Sequence, residues 1–488
     1  MCGVVGIIGS EEASKEAFLS LVSLQHRGQD AAGILSYDKS FHEVKNLGLV
    51  ETVFTKESMD LLKGSTAVGH TRYSTAGKGH VREVQPLTLN YPYGIGIVHN
   101  GNIVNYMELK DRLAHEKKRI CFSNSDTEAL LNWLADELKG SSFSDLKTAV
   151  KSVYKNVIGS YSVVGILAGG GLFAFRDPNG IRPLVLGERK ENGSKKSYMV
   201  ASESISLQVS GYKLLRDIEP GELLYLEQKS SGEITIVSEV LQKENPKPCM
   251  FEWVYFASAE SEVQSAAVYG VRLELGRKLA DIVREKIKTG EIEADIVAPV
   301  PDTSRTAATS ISESLKIPYR EVLIKNRYIK RTFILGSQSE RQRSVDLKLN
   351  PVRSEIEGKN VLLVDDSIVR GTTSRKIVEL VRQAGAKKVY FLSTCPPIRF
   401  PCYYGIDFPD RNELLATNRT EKQIADLIGA DGVVYLDDEG LSASIEKVSH
   451  GKVKDPCMAC LNGCYPTEVK SAEKLTENRR LERGEKRV

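Results

Sequence analysis

Apolar and polar positions follow two different rhythms along the chain, and the change of rhythm divides it into two halves. In the first half, short apolar runs separated by glycine turns predict strands, whereas three longer segments have the spacing of amphipathic helices. The predicted strands are Gly3–Ile8, Thr66–Gly69, Gly94–His99, Ser160–Leu167, Leu172–Phe175, Met199–Ala201 and Leu223–Leu226, and the predicted helices are Ser14–Leu24, Asn105–Glu116 and Asp126–Leu138.

The second half begins after the polar segment Gln228–Pro248, whose serines, glycine and prolines indicate a boundary. Beyond it, helical and strand patterns alternate, which predicts a parallel sheet with right-handed crossovers. The predicted elements are helix Gly270–Thr289, strand Ile296–Val300, helix Ser304–Leu315, strand 361–364, helix Ser374–Gln383 and strand Val389–Ser393. We therefore predict domains at 2–235 and 250–468 and a charged tail at 469–488.

The run from Val361 to Thr373 combines a buried strand with the chemistry of a phosphate site. Two adjacent acids end the strand, and a polar turn with one glycine leads into a helix. Backbone N–H groups at such a helix start can hold phosphate, while paired carboxylates suit ribose hydroxyls or hydrated Mg²⁺. A buried strand with a polar capping turn is the alternative. The run resembles the phosphoribosyl pyrophosphate signature of type I phosphoribosyltransferases. The residues expected to bind that ligand are Asp365, Asp366, Ser367, Arg370, Gly371, Thr372 and Thr373.

Two further segments extend this resemblance. The loop at 298–304 follows an apolar strand and precedes a helix, and the resemblance implies that it takes the pyrophosphate. Thr303 lies where the family places an oxygen ligand for Mg²⁺, and Asp365 and Asp366 are expected to share that metal. The basic segment Asn326–Asn350 resembles the flexible loop of amidophosphoribosyltransferases, which implies that Lys330 and Arg331 bind the substrate and close over it. Taken alone, the loop at 298–304 would be interpreted as a proline turn with a helix cap, and the segment Asn326–Asn350 as an exposed basic loop.

Cys2 is the candidate nucleophile of the first half. Removal of Met1 would leave Cys2 with a thiol and a free α-amino group, and the amine can serve as the base for its own thiol. A small residue at the start of a strand is the alternative. Three downstream runs, at 70–75, 99–102 and 125–128, favour the nucleophile, because in this order they resemble the glutamine site of class II (N-terminal nucleophile) glutamine amidotransferases.

That second resemblance implies a role for each matched residue. Arg72 would pair with the α-carboxylate of glutamine, a bidentate task for a guanidinium group. Asp126 would take the α-ammonium group, and Thr75 would also contact glutamine. Asn100 and the Gly101 N–H would form the oxyanion hole for a tetrahedral intermediate. Taken singly, the arginine could be a surface ion pair and the Asn-Gly pair a hairpin turn.

The remaining cysteines point to a metal. Cys457 and Cys460 form a CxxC pair, which alone suggests zinc, redox chemistry or a cluster. The contexts of Cys249 and Cys402 match the cluster-bearing amidophosphoribosyltransferases, and the resemblance implies a [4Fe–4S] cluster on these four thiolates. Zinc on the same ligands is the alternative. The cysteines outside the pattern are Cys121, Cys395 and Cys464, of which the last is close enough to compete for the metal.

Together the resemblances cover residues 2–468 and match one family, the glutamine phosphoribosylpyrophosphate amidotransferases. They imply an α/β fold with an N-terminal nucleophile hydrolase αββα sandwich followed by a doubly wound type I phosphoribosyltransferase domain. They also imply that the amide nitrogen of glutamine is transferred to phosphoribosyl pyrophosphate, giving 5-phosphoribosylamine at the start of purine synthesis. The expected cofactors are Mg²⁺ and a [4Fe–4S] cluster. The expected assembly is a homotetramer inhibited by purine nucleotides.

Composition restricts the alternatives. Lys plus Arg number 67 against 64 Asp plus Glu, a near-balance that argues against a dedicated nucleic-acid or membrane binder. No apolar run approaches the roughly 20 residues of a membrane helix, no signal peptide is recognisable, and the cysteines do not resemble a disulfide framework, so we expect a cytosolic protein. A non-catalytic purine or oxygen sensor would not need Cys2. Sister amidotransferases of the sugar-isomerase type lack a phosphoribosyl signature, and those of the asparagine-synthetase type need an ATP-pyrophosphatase loop that is absent here.

Overall fold

Two antiparallel sheets form the first half of the computed structural model, which describes residues 1–73, 80–191, 195–325, 349–408 and 410–471. The strands are β1 (Gly3–Ile8), β2 (Ala31–Asp38), β3 (Ser40–Leu47), β4 (Thr66–Arg72), β5 (Leu87–Leu89), β6 (Ile95–Ile103), β7 (Gly159–Leu167), β8 (Leu172–Arg176), β9 (Val185–Lys190), β10 (Lys196–Ala201), β11 (Lys213–Asp217), β12 (Glu222–Gln228) and β13 (Ile234–Val240). In the described part of the chain, the first sheet has the order β11-β9-β10-β1-β4-β2-β3 and the second the order β13-β12-β8-β7-β6-β5.

Helices cover the outer faces of both sheets. They are α1 (Ala13–Ser23), α2 (Val50–Val53), α3 (Lys56–Met59), α4 (Tyr106–His115), α5 (Asp126–Glu137), α6 (Phe143–Asn156) and α7 (Ser204–Val209). Apolar side chains from both sheets, among them Val4, Val68 and Val164, pack between the sheets. A second core lies under α1 and α7, and a third lies under α4, α5 and α6. These four layers confirm the predicted αββα sandwich.

The second half contains the predicted parallel sheet. Its strands are β14 (Glu262–Val263), β15 (Ala266–Ala267), β16 (Ile296–Pro299), β17 (Leu323–Lys325), β18 (Leu349–Pro351), β19 (Asn360–Asp365), β20 (Lys388–Ser393) and β21 (Gly432–Tyr435). The central sheet has the order β16-β19-β20-β21 with every pairing parallel, and β14-β15 and β17-β18 are separate antiparallel pairs.

Helices pack on both faces of this sheet, as expected of a doubly wound domain. They are α8 (Val268–Lys288), α9 (Arg305–Leu315), α10 (Arg353–Ile356), α11 (Thr372–Gln383), α12 (Glu421–Ile428), α13 (Asp438–Val448) and α14 (Ala459–Asn462). Side chains of β19 alternate between two cores: Leu362 and Val364 enter one, and Val361 and Leu363 enter the other. No helix among the described residues is long and apolar enough to span a membrane.

Several elements escape the sequence pattern, and the edge strands share one reason. β3 and β13 lie at sheet edges and are largely exposed, so their sequences lack the apolar run of a buried strand. β13 also lies within the polar segment predicted as a boundary, and the proposed domain limit at residue 235 falls inside it. The helix α6 was not predicted either, although its start has a capping box between Ser142 and Asp145.

Candidate functional site

Cys2 lies where the two antiparallel sheets meet. It directly precedes β1, whose Gly3 pairs with Thr71 near the end of β4 in the first sheet. The Cys2 backbone N–H donates to Asn100 Oδ1 in the second sheet at 3.1 Å, and Sγ lies 3.9 Å from the Tyr73 carbonyl oxygen. The residue is partly exposed. A contact between the sheets therefore fixes the backbone of the candidate nucleophile while its thiol stays accessible.

Asn100 and Gly101 lie within β6 rather than in a hairpin turn, and they pair with Ser162 and Tyr161 of β7. The Asn100 side chain is buried, and within the described residues its Nδ2 has no hydrogen-bond partner. Gly101 has φ 154°, and a Cβ there would lie 2.0 Å from the Ser160 carbonyl oxygen, so only glycine fits. An unused buried donor beside Cys2 is the feature that an oxyanion hole requires.

The predicted glutamine contacts converge on the same region. Arg72 ends β4 and donates from Nη2 to Glu83 Oε2 at 2.9 Å, a partner for which the sequence gives no local signal. Asp126 begins α5 and accepts the Ile103 N–H through Oδ2 at 3.1 Å. A cavity of about 580 Å³ borders Glu83. Thr75 lies outside the described residues, so its predicted contact remains a prediction.

Two buried histidines lie on the strands next to Cys2: His70 pairs with Val4 across β4 and β1, and His99 precedes Asn100 in β6. Burial lowers the pKa of His70 well below its ordinary value, and the neighbouring Arg72 adds to the effect. Burial also lowers the pKa of His99, against the pull of Asp126, and His99 Nδ1 lies 3.1 Å from Thr127 Oγ1. Burial therefore favours the uncharged form of both rings.

The strand β19 carries Asp365 and Asp366 to its carboxyl end, where they meet the preceding loop. Ser304 Oγ donates to Asp365 Oδ1 at 3.1 Å, and Thr303 Oγ1 donates to Asp366. Ser367 Oγ donates to Asp366 Oδ1 at 2.8 Å. Burial raises the pKa of both carboxyl groups, and the negative charge of Asp366 raises the pKa of Asp365 further. Two neighbouring carboxylates that are costly to ionise form a natural place for a cation or for ribose hydroxyls.

The turn after these acids opens a helix N-terminus. Gly371 has φ 76°, and Thr372 and Thr373 are the first residues of α11. The guanidinium of the predicted ligand Arg370 already has protein partners: its Nε donates to Glu413 at 2.7 Å and its Nη2 to the Asp407 carbonyl oxygen at 3.1 Å. The other predicted cations, Lys330 and Arg331, lie outside the described residues.

A cavity of about 520 Å³ joins the two halves of the protein. The first half contributes His26, Arg27 and Tyr73 to its wall. The second half contributes Thr303, Asp365, Asp366, Ser367, residues 369–374, Ile406, Asp407 and Phe408, together with the aromatic residues Phe251, Tyr255 and Phe256. Tyr73, whose carbonyl contacts the Cys2 thiol, therefore also lines the cavity that contains the acid pair.

Buried ion pairs hold the halves together beside this cavity. The Arg27 guanidinium is buried between Glu203 and Glu252, with Nη2 at 2.5 Å from Glu252 Oε2, and Arg182 reaches Glu252 at 3.4 Å. Burial raises the pKa of the Glu203 carboxyl, but Arg27 and His26 outweigh burial and bring this pKa well below its ordinary range. The charges are thus paired rather than isolated, as buried charges must be.

A segment comprising residues 402–408, which we call the bridging segment, contacts both sites. The Tyr403 carbonyl accepts Asn102 Nδ2 at 2.7 Å, and the Tyr404 carbonyl accepts Ser160 Oγ at 2.9 Å. These partners belong to the strands that carry and support the oxyanion residues. The far end of the bridging segment lines the shared cavity. The bridging segment therefore contacts the strands β6 and β7 at one end and the shared cavity at the other.

The four predicted cluster ligands are all buried: Cys249, Cys402, Cys457 and Cys460. Cys249 and Cys457 pair as an isolated parallel bridge, and Cys457 N–H donates to Pro248 O at 2.8 Å. Among the described residues, no three His, Cys, Asp or Glu side chains are arranged to hold a single metal ion. Cys464, which was considered a competitor, is exposed, whereas Cys395 is buried.

The chain is similar to known enzymes over nearly its full length. Residues 70–209 match a glutamine amidotransferase domain and residues 272–398 a phosphoribosyl transferase domain. An amidophosphoribosyltransferase of Pasteurella multocida is 45% identical over 96% of this chain and 93% of its own length, and one of Methanocaldococcus jannaschii is 43% identical over 96% and 98%. The glutamine phosphoribosylpyrophosphate amidotransferase of B. subtilis, solved with ADP and GMP, is 38% identical, with a TM-score of 0.84 over 96% of this chain and 98% of that chain.

Proposed function

The chain belongs to the amidophosphoribosyltransferase family, and on that premise we propose how its residues divide the reaction. The reaction transfers the amide nitrogen of glutamine to phosphoribosyl pyrophosphate and yields 5-phosphoribosylamine, glutamate and pyrophosphate, the first step of purine synthesis. The relatives are enzymes, and nothing in them favours a sensor. One observation carries the division of labour: a single cavity is lined by the phosphoribosyl loop and by Tyr73, whose carbonyl touches the Cys2 thiol.

In the first half-reaction, Cys2 Sγ attacks the side-chain amide carbon of glutamine and forms a thioester, with ammonia as the leaving group. Water then hydrolyses the thioester, which releases glutamate and restores the thiol. Asn100 Nδ2 and the Gly101 N–H stabilise the oxyanion, because a preorganised donor costs no rearrangement in the transition state. Arg72, Asp126 and Thr75 hold the amino-acid end of glutamine. The base is the α-amine that Cys2 gains when Met1 is removed.

The surroundings of the chain terminus favour such a base. The Met1 amine is buried, donates to the Gly405 carbonyl at 3.5 Å, and has its pKa lowered by burial to about 6. The charges of Arg182 and Arg27 contribute to this lowering. The amine that Cys2 gains on removal of Met1 would lie beside the same two guanidinium groups, which disfavour its protonated form.

In the second half-reaction, the loop of Asp365 and Asp366 binds the ribose hydroxyls, and the start of α11 with Ser367, Gly371, Thr372 and Thr373 binds the 5′-phosphate. Arg370, Lys330 and Arg331 remain proposed contacts, the first after release from Glu413. Thr303 and the two acids offer oxygen ligands that fit Mg²⁺, since the two carboxylates are buried side by side and burial raises the pKa of both, with the charge of Arg272 offsetting this only in part at Asp366. When bound, Mg²⁺ would neutralise the departing pyrophosphate.

Ammonia must travel from Cys2 to the sugar without meeting bulk water, in which it would be protonated and diluted. Apolar side chains in the wall of the shared cavity, including Phe251, Phe256 and Phe408, suit the passage of uncharged ammonia. Confinement replaces a bimolecular encounter by proximity. The bridging segment would transmit the binding of phosphoribosyl pyrophosphate to β6, the strand that carries Asn100 and Gly101. Glutamine would then be hydrolysed only when the acceptor sugar is bound.

We also propose a [4Fe–4S] cluster on Cys249, Cys402, Cys457 and Cys460. A cluster has one thiolate on each iron, so its ligands lie farther apart than those of one tetrahedral zinc. The four thiols are buried, and Cys402, Cys249 and Cys457 lie close enough to Cys460 for their charges to raise its pKa beyond the effect of burial. Burial lowers the pKa of Arg182, but Cys249, Glu252 and other anionic neighbours raise it overall, and this buried cation would offset the negative charge of the cluster. The cluster would stabilise the fold, and zinc remains the alternative.

Three further properties are proposed from family membership. Purine nucleotides are the proposed inhibitors, supported by the bound ADP and GMP in the B. subtilis relative. A homotetramer is the proposed assembly. A cytosolic location is supported by eight free thiols, as expected in a reducing compartment. The domain limits 2–235 and 250–468 and the tail 469–488 also stay proposals.

The test of the proposed function uses Cys2→Ala. With glutamine the variant should form no 5-phosphoribosylamine, but with ammonium at raised pH it should release pyrophosphate at the wild-type rate, because the transfer site does not contain the thiol. Wild-type protein that releases neither glutamate nor pyrophosphate from both substrates would refute the function. Equal loss of the glutamine- and ammonia-dependent reactions in the variant would refute the two-site division.

A further inference from the structure

His26 belongs to the first half of the chain and lines the cavity that joins the two halves. Its side chain is 34% exposed, and it lines the same cavity wall as Asp365 and Asp366. It follows α1 in the loop that also carries Arg27, so the ion pairs between the halves hold its backbone in place. The division of the reaction proposed above gives this residue no role. Its side chain lies in the cavity that contains the acid pair.

The hydrogen bond of the imidazole fixes its tautomer. Nε2 lies 2.7 Å from Glu203 Oε1, and Glu203 is fully buried. Arg27, Ser258 N–H and Ser261 Oγ also donate to this carboxylate, so it is ionised and can only accept. Nε2 must therefore carry the proton, and Nδ1 of the neutral ring is an acceptor. In the described part of the chain, Nδ1 has no hydrogen-bond partner.

We propose that His26 is a catalytic residue of the transfer reaction, the base that removes a proton from the incoming nitrogen. The inference rests on the proposed function. The lone pair of ammonia forms the N–C1 bond while the C1–O bond breaks and its electron pair leaves with pyrophosphate. The nitrogen then carries a positive charge and one proton too many. Nδ1 of His26 takes that proton, giving 5-phosphoribosylamine with an uncharged amino group, and the imidazolium later releases the proton to water.

The charges around the ring suit this task. Glu203 accepts from Nε2 and stabilises the imidazolium as it forms, as an orienting carboxylate does for a catalytic histidine. Glu260 also lies close enough to interact with His26. The positive charge of Arg27 is matched by the negative charges of Glu203 and Glu252. The departing pyrophosphate adds further negative charge on the cavity side. The imidazolium that forms when His26 takes the proton is therefore surrounded by negative charge, from the two carboxylates and from pyrophosphate.

The test uses an amide side chain that imitates one nitrogen of the ring. His26→Gln places an amide N–H near the position of Nε2 and can keep the hydrogen bond to Glu203, but it offers no base. We expect kcat of ammonia-dependent synthesis to fall about 100-fold in this variant, at the lower end of the range for general bases. We also expect loss of the acidic limb of the pH profile, after correction for the fraction of neutral ammonia. The melting temperature should stay at the wild-type value, because the structural contact is kept.

A second measurement separates catalysis from structure. Added imidazole should restore at least a tenth of the lost rate to His26→Ala, and it should not raise the rate of His26→Gln, whose side chain fills the site. Wild-type kcat with an unchanged acidic limb in His26→Gln would overturn the proposal, and so would the absence of imidazole rescue. If wild-type protein forms no 5-phosphoribosylamine from ammonia, the proposed function itself fails, and these variants are not needed to show it.

Discussion

Replacing Asn100 with alanine removes two hydrogen-bonding atoms with opposite consequences for the resting protein. Oδ1 accepts the Cys2 N–H at 3.1 Å, and losing such a bond costs about 0.5–1.5 kcal/mol. Nδ2 is buried without a partner among the described residues, and burial of an unpaired donor costs about 1–3 kcal/mol, which alanine relieves. Because the two effects oppose each other, we expect the melting temperature to change by no more than about 3 °C.

The same substitution should be severe for glutamine hydrolysis. If Nδ2 is reserved for the oxyanion, its loss should lower kcat by about 10²–10³-fold, which corresponds to about 2.7–4 kcal/mol of transition-state stabilisation. The Michaelis constant for glutamine should change little, because the oxyanion exists only along the reaction path. Synthesis from ammonia should stay near the wild-type rate, since the phosphoribosyl loop does not contact Asn100.

The measurement is glutamate release at saturating phosphoribosyl pyrophosphate, with thermal unfolding in parallel. Asn132→Ala is the matched control, since Asn132 is also buried and donates one hydrogen bond, to Glu128 O at 3.0 Å, at a distance along α5 from the site. The control should keep full hydrolysis. A loss of less than tenfold in Asn100→Ala would refute the oxyanion assignment. A large drop in melting temperature with loss of both reactions would mean that Asn100 is a structural residue.

Other predictions concern the second site, the ion pairs and the cluster. Asp366→Asn should weaken phosphoribosyl pyrophosphate binding by about 1.5–3 kcal/mol in calorimetry. Asp431→Asn, at the amino ends of the strands of the same sheet, should leave the affinity unchanged. Equal affinities of the two variants for this ligand would refute the loop assignment. Glu203→Gln should lower the unfolding free energy by about 3–5 kcal/mol at neutral pH. Because its folded pKa is depressed, this stabilisation is present above the unfolded pKa of about 4.3 and should shrink as the pH falls below it, and a pH-independent difference would contradict the charge pairing. Cys402→Ser should lower iron, labile sulfide and thermal stability while Cys464→Ser does not, and about one zinc per chain without sulfide would replace the cluster by a zinc site.

The residues proposed for both sites could be selected from the sequence alone. The strand before Asp365, the turn at Gly371 and the helix after it depend on neighbouring residues, because a buried parallel strand and a helix start each need particular side chains in a row. The order of short motifs after Cys2 likewise identified the αββα sandwich. The edge strands β3 and β13 were missed because an exposed strand needs no apolar run.

The relation between the two sites was decided by tertiary structure alone. Arg27 meets Glu252 across 225 positions of sequence, and Asn102 meets Tyr403 across 301. Such contacts form because folding brings unlike charges and unsatisfied backbone groups into a space without water, where each must find a partner. No local pattern encodes which partner that will be. The direction in which His26 points, into the cavity of the other half, follows from the same long-range pairing.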